Sequence, residues 1–325
     1  MRATIAWLNA ALAGKELSAG MTYYKINSDT ISATDGKLTA CAPWAWGGKF
    51  FVPGDAFEKV LKRMPAGDIK IKEVENGVRL SCGRFSGTIQ TLPLTEWAYP
   101  GIEGAKWQKL PPHLLPLLAA LRPFVSENEQ PAWGRCVALA DSWAYATNNM
   151  TIAGAKCKGL DAGVKALVPA WALDFLLGRL DGLVEWTWDD HFIAFRWTNG
   201  AWMRTQLIIG QFPEKASAMI KTAWASKPVQ EVTEEFKEAL GRVSELAEDT
   251  VSIYADRLET KFDKTIVEDG VECETPINEA PCSIWGARTL LPALQAAAAW
   301  QPSVWPAPAP FRGPLVAGYI VGRRQ

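Results

Sequence analysis

The chain is nearly devoid of histidine: His113 and His191 are the only two in 325 residues. Catalytic triads and histidine-based metal sites therefore have little to build on. No CxxC pair occurs, and the six cysteines (Cys41, Cys82, Cys136, Cys157, Cys273 and Cys282) lie far apart. Zinc-site spacing is absent, and a chain of this length needs no disulfide staples, so free thiols in a reducing cytoplasm are expected. Apolar residues make up 48% of the chain, yet no uninterrupted run approaches a membrane span. Neither sign of charge dominates: 34 Lys and Arg face 35 Asp and Glu, a formal net charge of −1. That excludes a uniformly basic nucleic-acid binder and permits one whose charges are segregated by surface. The opening MRATIAWLNAALAGKE sets a basic residue before an apolar stretch, but Asn9 interrupts it and its apolar residues recur at helical spacing. It reads as an amphipathic helix rather than a signal peptide.

What the sequence does have is repetition. FVPGDAFEKVLKR at 51–63, LVPAWALDFLLGR at 167–179 and SIWGARTLLPALQ at 283–295 share an apolar pair, a helix start and leucines at helical spacing. Val52, Val168 and Ile284 mark one point in each copy, and both intervals are 116 (168 − 52 and 284 − 168). SATDGKLTACAP at 32–43 is echoed by YATNNMTIAGAK at 145–156 and more faintly by IYADRLETKF at 253–262. EWAYP closes the first copy at Pro100 and GQFP the second at Pro213, while the third runs to Gln325. The period is too long for a solenoid and suits one small domain. Three tandem domains are expected, at 1–106, 107–226 and 227–325.

Each copy reads as helix, strands, helix, strands. In the first, helices are expected at 3–13 and 54–64, the latter introduced by Pro53 and stopped by Pro65. Strands are expected at 21–27, 30–34, 37–42, in DIKIKEV and GVRLSCG around a Glu75-Asn76-Gly77 turn, and in RFSGTIQTL. In the second, helices fall at 112–122 and 170–180, with strands at 136–141, 143–147, 150–156, 183–188, 191–197 and 201–208. In the third, helices fall at 232–247 and 286–298, with strands near 250–255, 258–263, 302–306 and 315–321. The acidic stretch Val267–Pro281 reads as an exposed loop or hairpin, and linkers are expected near Gly101–Gln108 and Lys221–Gln230. The fold class is α+β, antiparallel sheet with helices on one face.

Several passages carry a family signature. VPGDAFEKVLKRMPAGDIKIKEVENGVRLSCGRFSGTIQTLPLTEWAYP resembles the first domain of the bacterial DNA sliding clamp, the beta subunit of the replicative DNA polymerase, where a "VPA…L…ILR.LP" helix precedes strands and an "LPAEDFP" close. MRTQLIIGQFPEK at 203–215 is similar to that family's "SRLIDGRFPDY" joint, and YATNNMTIAGAK occupies the place of its "ATDGHRLA" segment. AGYIVGRRQ resembles its C-terminal "AYVVMPMRL". The likeness covers essentially the whole chain in order, with Gly210-Gln211-Phe212-Pro213 its sharpest point.

The resemblance implies three clamp-type domains, each of two βαβββ units, with helices lining a ring and antiparallel sheets outside. It implies a homodimer closed head to tail around duplex DNA, with no cofactor, no metal and no catalysis. Its partners would be double-stranded DNA without sequence preference, and the replicative polymerase and clamp loader through short linear motifs. It also implies a cytoplasmic, nucleoid-associated protein. The cations expected to face DNA are Lys59, Lys62, Arg63, Arg122, Arg179, Lys237, Arg242 and Arg288, with Lys15 and Trp133 on loops. Lys59, Lys62 and Arg63 sit three and four apart and share a helix face. The positions matching the peptide-binding cleft are Thr147, Asn148, Asn149, Met150, Thr151, Ile152, Ile220, Val321, Gly322, Arg323 and Arg324. Arg323 and Arg324 replace apolar and proline positions, which implies a taste for acidic peptides. Leu246, with Glu245 and Glu248, is the implied third-domain side of the dimer interface. The short chain, missing an N-terminal strand and loop material, with its many tryptophans and altered tail, suggests a divergent, phage-encoded member.

Two rivals come from other classes. Trp186-Thr187-Trp188-Asp189-Asp190-His191 offers carboxylates and an imidazole to a hydrolase, but its spacing fits neither a metal-binding helix nor a nucleophile elbow. It reads as a turn between strands. The tryptophans of the second copy (Trp171, Trp186, Trp188, Trp197, Trp202 and Trp224) could stack on sugars, yet their alternate placement on strands points to packing on a sheet face. A clamp-type scaffold that never encircles DNA is the third reading.

Overall fold

The computed structural model describes residues 1–325 except 17, 76, 95–98, 128–130, 161–162, 228–229, 248, 261–268, 276–282 and 324–325. In chain order the elements are α1 (Arg2–Leu8), β1 (Tyr23–Asn27), β2 (Thr30–Thr34), β3 (Leu38–Pro43), β4 (Lys49–Pro53), α2 (Gly54–Arg63), β5 (Lys70–Val74), β6 (Gly77–Cys82), β7 (Phe85–Gln90), β8 (Leu92–Pro93) and β9 (Gln108–Lys109). Then come α3 (Leu114–Leu121), β10 (Cys136–Ala140), β11 (Trp143–Thr147), β12 (Thr151–Lys156), β13 (Lys165–Pro169), α4 (Ala170–Leu177), β14 (Leu183–Trp188), β15 (Phe192–Trp197), β16 (Trp202–Gln206) and α5 (Glu214–Ala225). The chain continues with β17 (Gln230–Glu231), α6 (Glu234–Leu246), β18 (Thr250–Ile253), β19 (Arg257–Thr260), β20 (Asp269–Glu272), β21 (Ser283–Gly286), α7 (Ala287–Ala296), β22 (Ala299–Trp300), β23 (Ala309–Arg312) and β24 (Ala317–Ile320). Every strand pairing is antiparallel among the described residues, and the fold class is α+β as expected.

The chain forms two compact units. The first, Met1–Leu110 with Gly178–Leu207, holds a nine-stranded sheet in the order β8-β4-β1-β2-β3-β16-β15-β14-β9 and the small sheet β5-β6-β7. The second, Pro111–Leu177 with Ile208–Gln325, holds an eight-stranded sheet, β13-β10-β11-β12-β24-β23-β22-β17, and the sheet β20-β19-β18-β21. Each large sheet is fused from strands of two sequence copies. In the first unit β3 pairs with β16 (Leu38 opposite Thr205), and in the second β12 pairs with β24 (Thr151 opposite Ile320).

Local chemistry explains the helices. Asp55 in the first turn of α2 and Lys62 and Arg63 in the last complement the helix dipole. Phe57 and Leu61 are its buried stripe, and the Arg2 guanidinium donates to the Met64 and Pro65 carbonyls just beyond its end, at 2.6 and 2.7 Å. Thr233 caps α6, its hydroxyl accepting from the Phe236 N–H at 3.1 Å, while Phe236, Ala239, Leu240 and Val243 face the core.

The structure departs from the sequence reading at several points. The linker expected over Lys221–Gln230 is wrong in its first half, because α5 runs through Ala225. An alanine-rich segment with Glu214 in its first turn is a good helix former, but it buries only Ile220 and Ala223 and so lacks a strong apolar period. The strand expected near 302–306 is instead a 3₁₀ turn at Pro302–Val304, where proline's missing N–H suits a turn start better than a ladder. The first helix leaves α geometry at Leu8 and finishes as a 3₁₀ turn over Asn9–Ala11. The strands β4, β13 and β21, visible in the sequence only as apolar pairs, deliver the chain into α2, α4 and α7. Asn76, Glu248 and much of the acidic stretch lie outside the described residues; within that stretch β20 pairs with β19.

Candidate peptide cleft and DNA-facing cations

The segment matching the cleft motif is a tight turn between β11 and β12. The Asn148 Oδ1 accepts from the N–H groups of Met150 (3.1 Å) and Thr151 (2.8 Å), and the Thr147 hydroxyl accepts from the Asn149 N–H (3.1 Å). Asn149 sits at φ +72°, a left-handed conformation that asparagine tolerates better than most residues. The Val321 N–H donates to the Met150 carbonyl at 2.8 Å, tying the turn to the C-terminal strand. The first unit repeats this construction. There the Asp35 Oδ1 takes the N–H groups of Lys37 and Leu38, Gly36 holds φ +86°, and the Gln206 N–H donates to the Lys37 carbonyl at 3.0 Å.

Of the expected cleft positions, the structure leaves some open and closes others. Asn149 is exposed, and Met150, Ile152 and Val321 are half-buried. Thr147 is 2% exposed, Thr151 is buried with its hydroxyl turned toward the Thr289 carbonyl at 3.5 Å, and Gly322 is buried. Ile220, expected on the wall, is 0% exposed: it packs into the space over Gly154, where an added Cβ would meet its Cγ2 at 2.6 Å. It joins Cys136, Ala138, Tyr145 and Leu167 in a core edged by Trp133, Ile152, Ile208 and Phe212. Of these edge residues the sequence reading named Ile152 for the cleft and Trp133 for a DNA-facing loop, and missed Ile208 and the side chain of Phe212 as part of the same surface. It also missed Tyr319, which faces Ile152 across the strand pair, and the exposed Met219 and Ile209, the latter 94% exposed. One signal could have found Ile209: it stands where the family motif carries aspartate. Trp133 lies edge-on to Phe212, with ring centroids 6.1 Å apart at 74°, and Phe212 stacks on Tyr145 at 5.5 Å. Trp133 is therefore a half-buried member of this apolar edge.

Arg323 is engaged with its own chain. Its guanidinium makes a two-pronged hydrogen-bonded pair with the Asp249 carboxylate, one contact at 2.8 Å, and its N–H donates to the Ile284 carbonyl at 2.8 Å. The acidic-peptide preference expected from Arg323 thus loses its free cation; Arg324 lies outside the described residues. Gly322 is required by close approach, since an added Cβ would lie 2.3 Å from Trp305 Cδ1 and 2.6 Å from its Nε1. Gly322→Ala is expected to cost about 1–3 kcal/mol by overpacking, read as a lower urea midpoint at unchanged slope.

The candidate DNA-facing cations fall into two groups. Lys59 pairs with Asp55 at 3.6 Å and Lys62 with Glu58 at 3.3 Å, both lysines still 72% and 77% exposed, while Arg63 is exposed without an ion pair among the described residues. Arg242, paired with Glu238 at 3.4 Å, and Arg288 are exposed too, as is Lys15. The others are committed elsewhere. Arg122 is held by Asp174 through contacts of 2.7 and 2.9 Å, a hydrogen bond that raises its pKa further. Arg179 donates to the Trp7 carbonyl at 3.2 Å, and burial lowers its pKa. Lys237 pairs with Glu234 at 2.7 Å and is only 17% exposed. Leu246, the candidate interface residue, is exposed at the end of α6.

The Asp189–His191 segment is the β14–β15 turn. Asp189 Oδ1 accepts from the His191 and Phe192 N–H groups at 2.7 and 2.8 Å, so this carboxylate is engaged in holding the turn. Among the described residues there is no group of three or more potential metal ligands and no helix long and apolar enough to cross a membrane. Cys41, Cys136 and Cys157 are buried thiols whose pKa values burial pushes up to about 12, 12 and 11. The folded chain keeps these protons while the unfolded chain releases them from about pH 8.5. Their contribution to stability is thus complete below that pH and lost as pH rises toward 11–12. We expect the unfolding free energy, read from urea titrations, to fall between about pH 8.5 and pH 10.5, by at most about 1.4 kcal/mol per thiol per pH unit. A Cys41→Ala/Cys136→Ala variant should show a flatter profile.

The order of strands, the fused sheets and the turn tied to the C-terminal strand define the fold of the bacterial beta sliding clamp. The Helicobacter pylori beta clamp bound to a DNA ligase peptide matches at TM-score 0.77 and 14% identity, over 99% of this chain and 97% of that one. The DNA polymerase sliding clamp of Bacillus subtilis matches at 0.78 and 16%, and the griselimycin-bound sliding clamp (DNA polymerase III subunit beta) of Bartonella birtlesii at 0.81 and 16%, each over 99% of this chain and 96% of the other. No protein-family model and no curated protein matches the sequence. At such identities the likeness is one of fold.

Proposed function

We propose that the protein is a DNA polymerase processivity factor: a sliding clamp that encircles duplex DNA and tethers partners through the cleft at Met150, Ile152 and Val321. The observation that carries this reading is the β12–β24 junction, where the motif turn, the closing Phe212-Pro213 and the C-terminal strand meet beside an apolar edge. Three domains, at 1–106, 107–226 and 227–325, make up each chain, and two chains close head to tail with Leu246 in the contact. The protein works as a tether without catalysis, in the bacterial cytoplasm. Its partners are duplex DNA of any sequence, and polymerase and loader peptides with one or two apolar anchors, each contributing roughly 1.5–3 kcal/mol before ordering costs.

Equilibrium sedimentation at micromolar concentration tests the assembly. We expect a species of twice the 35.6 kDa chain mass, shifted toward monomer by Leu246→Glu. A monomer or trimer at every salt concentration would refute it.

A further inference from the structure

The cleft turn occurs in both units, but the two chains of residues after the closing prolines differ. After Pro213 the chain forms α5, which lies against β12, β24 and β23. After Pro100 the corresponding segment, Gly101–Trp107, forms no helix, and a cavity of about 370 Å³ opens between it and the ends of β14 and β15. Trp188 supplies an aromatic wall, Phe192 a second ring that already carries the Arg204 guanidinium, Thr187 also lines the cavity, and Glu103, Lys106 and Asp189 are its charged groups.

We propose that this cavity is a docking site for an arginine side chain presented by a peptide partner. Aromatic rings attract a guanidinium through their negative faces, and those of this sheet already do so. The Arg204 guanidinium lies 4.2 Å from the Phe192 ring centroid and that of Arg196 lies 4.5 Å from Trp107. The charge balance is negative: the lining carboxylates Glu103 and Asp189, with exposed Asp190 next in sequence, outnumber Lys106 and the Arg204 guanidinium on Phe192, and neither Glu103 nor Asp189 has an ion-pair partner among the described residues. Asp189 is fixed by its two turn hydrogen bonds, so little ordering is required when a ligand arrives. The strand ladder beside the cavity is short. β9 pairs with β14 at Gln108–Trp186 and Lys109–Glu185, and the ladder stops short of Thr187 and Trp188, where the half-buried Trp188 meets the cavity. The same carboxylates repel phosphate, which sets this site apart from a nucleic-acid surface. The site needs neither ring assembly nor DNA, so its failure would leave the processivity reading untouched.

The test is fluorine NMR of the full chain labelled with 5-fluorotryptophan, the Trp188 resonance being assigned with Trp188→Phe. N-acetyl-arginine methylamide should shift that resonance saturably, in the millimolar range expected for a single side chain, and the norleucine counterpart should not. The double variant Glu103→Gln/Asp189→Asn keeps both shapes and the turn acceptor, and should weaken binding about tenfold, roughly 1.4 kcal/mol. Equal shifts from norleucine, an unchanged response in the double variant, no saturation by arginine, or a Trp188 shift with a short duplex DNA instead would each overturn the assignment.

Discussion

Reversing Lys59, Lys62 and Arg63 to glutamate is expected to shorten retention on nicked circular duplex DNA by about tenfold or more, with the protein still folded and dimeric. α2 carries these three cations against Asp55 and Glu58, so the reversal turns a slightly positive helix into one bearing five acids. It also replaces two attractive i,i+4 pairs by repulsive ones, a cost of only a few tenths of a kcal/mol each. The neutral variant, with glutamine at all three positions, should fall between. Because several candidate cations are already paired within the chain, the wild-type affinity should depend on salt less steeply than the number of its Lys and Arg suggests, and show little sequence preference. Retention measured by gel filtration on nicked plasmid, with clamp loader and ATP, decides it. Unchanged retention in the reversed variant, or strong sequence selectivity, would leave a scaffold that never encircles DNA as the better reading.

Met150→Asp is expected to abolish peptide binding and to leave the dimer intact. The Met150 carbonyl accepts from Val321, a main-chain bond that a side-chain change does not remove, and its side chain lies half-buried beside the turn. A carboxylate there would have to give up water against an apolar peptide anchor, a penalty of several kcal/mol unless the anchor brings a partner. Fluorescence anisotropy of a labelled polymerase-tail peptide should show loss of saturation in the variant. Equal affinity for variant and wild type would place the cleft elsewhere. Ile209→Asp, which restores the residue type of the family motif, gives a graded second probe of the apolar rim.

The triple repeat was legible because identical structural tasks leave similar local chemistry. Pro53, with Phe57 and Leu61 at helical spacing, announced α2, and the Asp35-Gly36 pair announced the β2–β3 turn. Tertiary company was not legible. Ile220 reads as an apolar residue in a weakly periodic stretch, and only the vacant Cβ position of Gly154 shows that it is core. Arg323 reads as a free cation, but Asp249, 74 positions earlier, neutralises it. Arg122 and Asp174 are separated by 52 positions in the same way. Such pairings depend on which strands adjoin, and local residue patterns do not encode that order.

The interior position of β24 has a consequence for how the chain is made. β12 acquires its neighbour on one side as soon as β11 exists, but the strand on its other side ends at Ile320. A nascent chain therefore exposes the β12 edge, with Ile152 and Ala153 on it, throughout synthesis of everything from Cys157 to Val316. The first unit waits as long: the β3 edge stays open from Trp44 until β16 emerges beginning at Trp202. Folding on the ribosome should accordingly proceed in two stages, and a chain stalled between Cys157 and Ala201, with the β3 and β12 edges both open, should be the one most prone to aggregate.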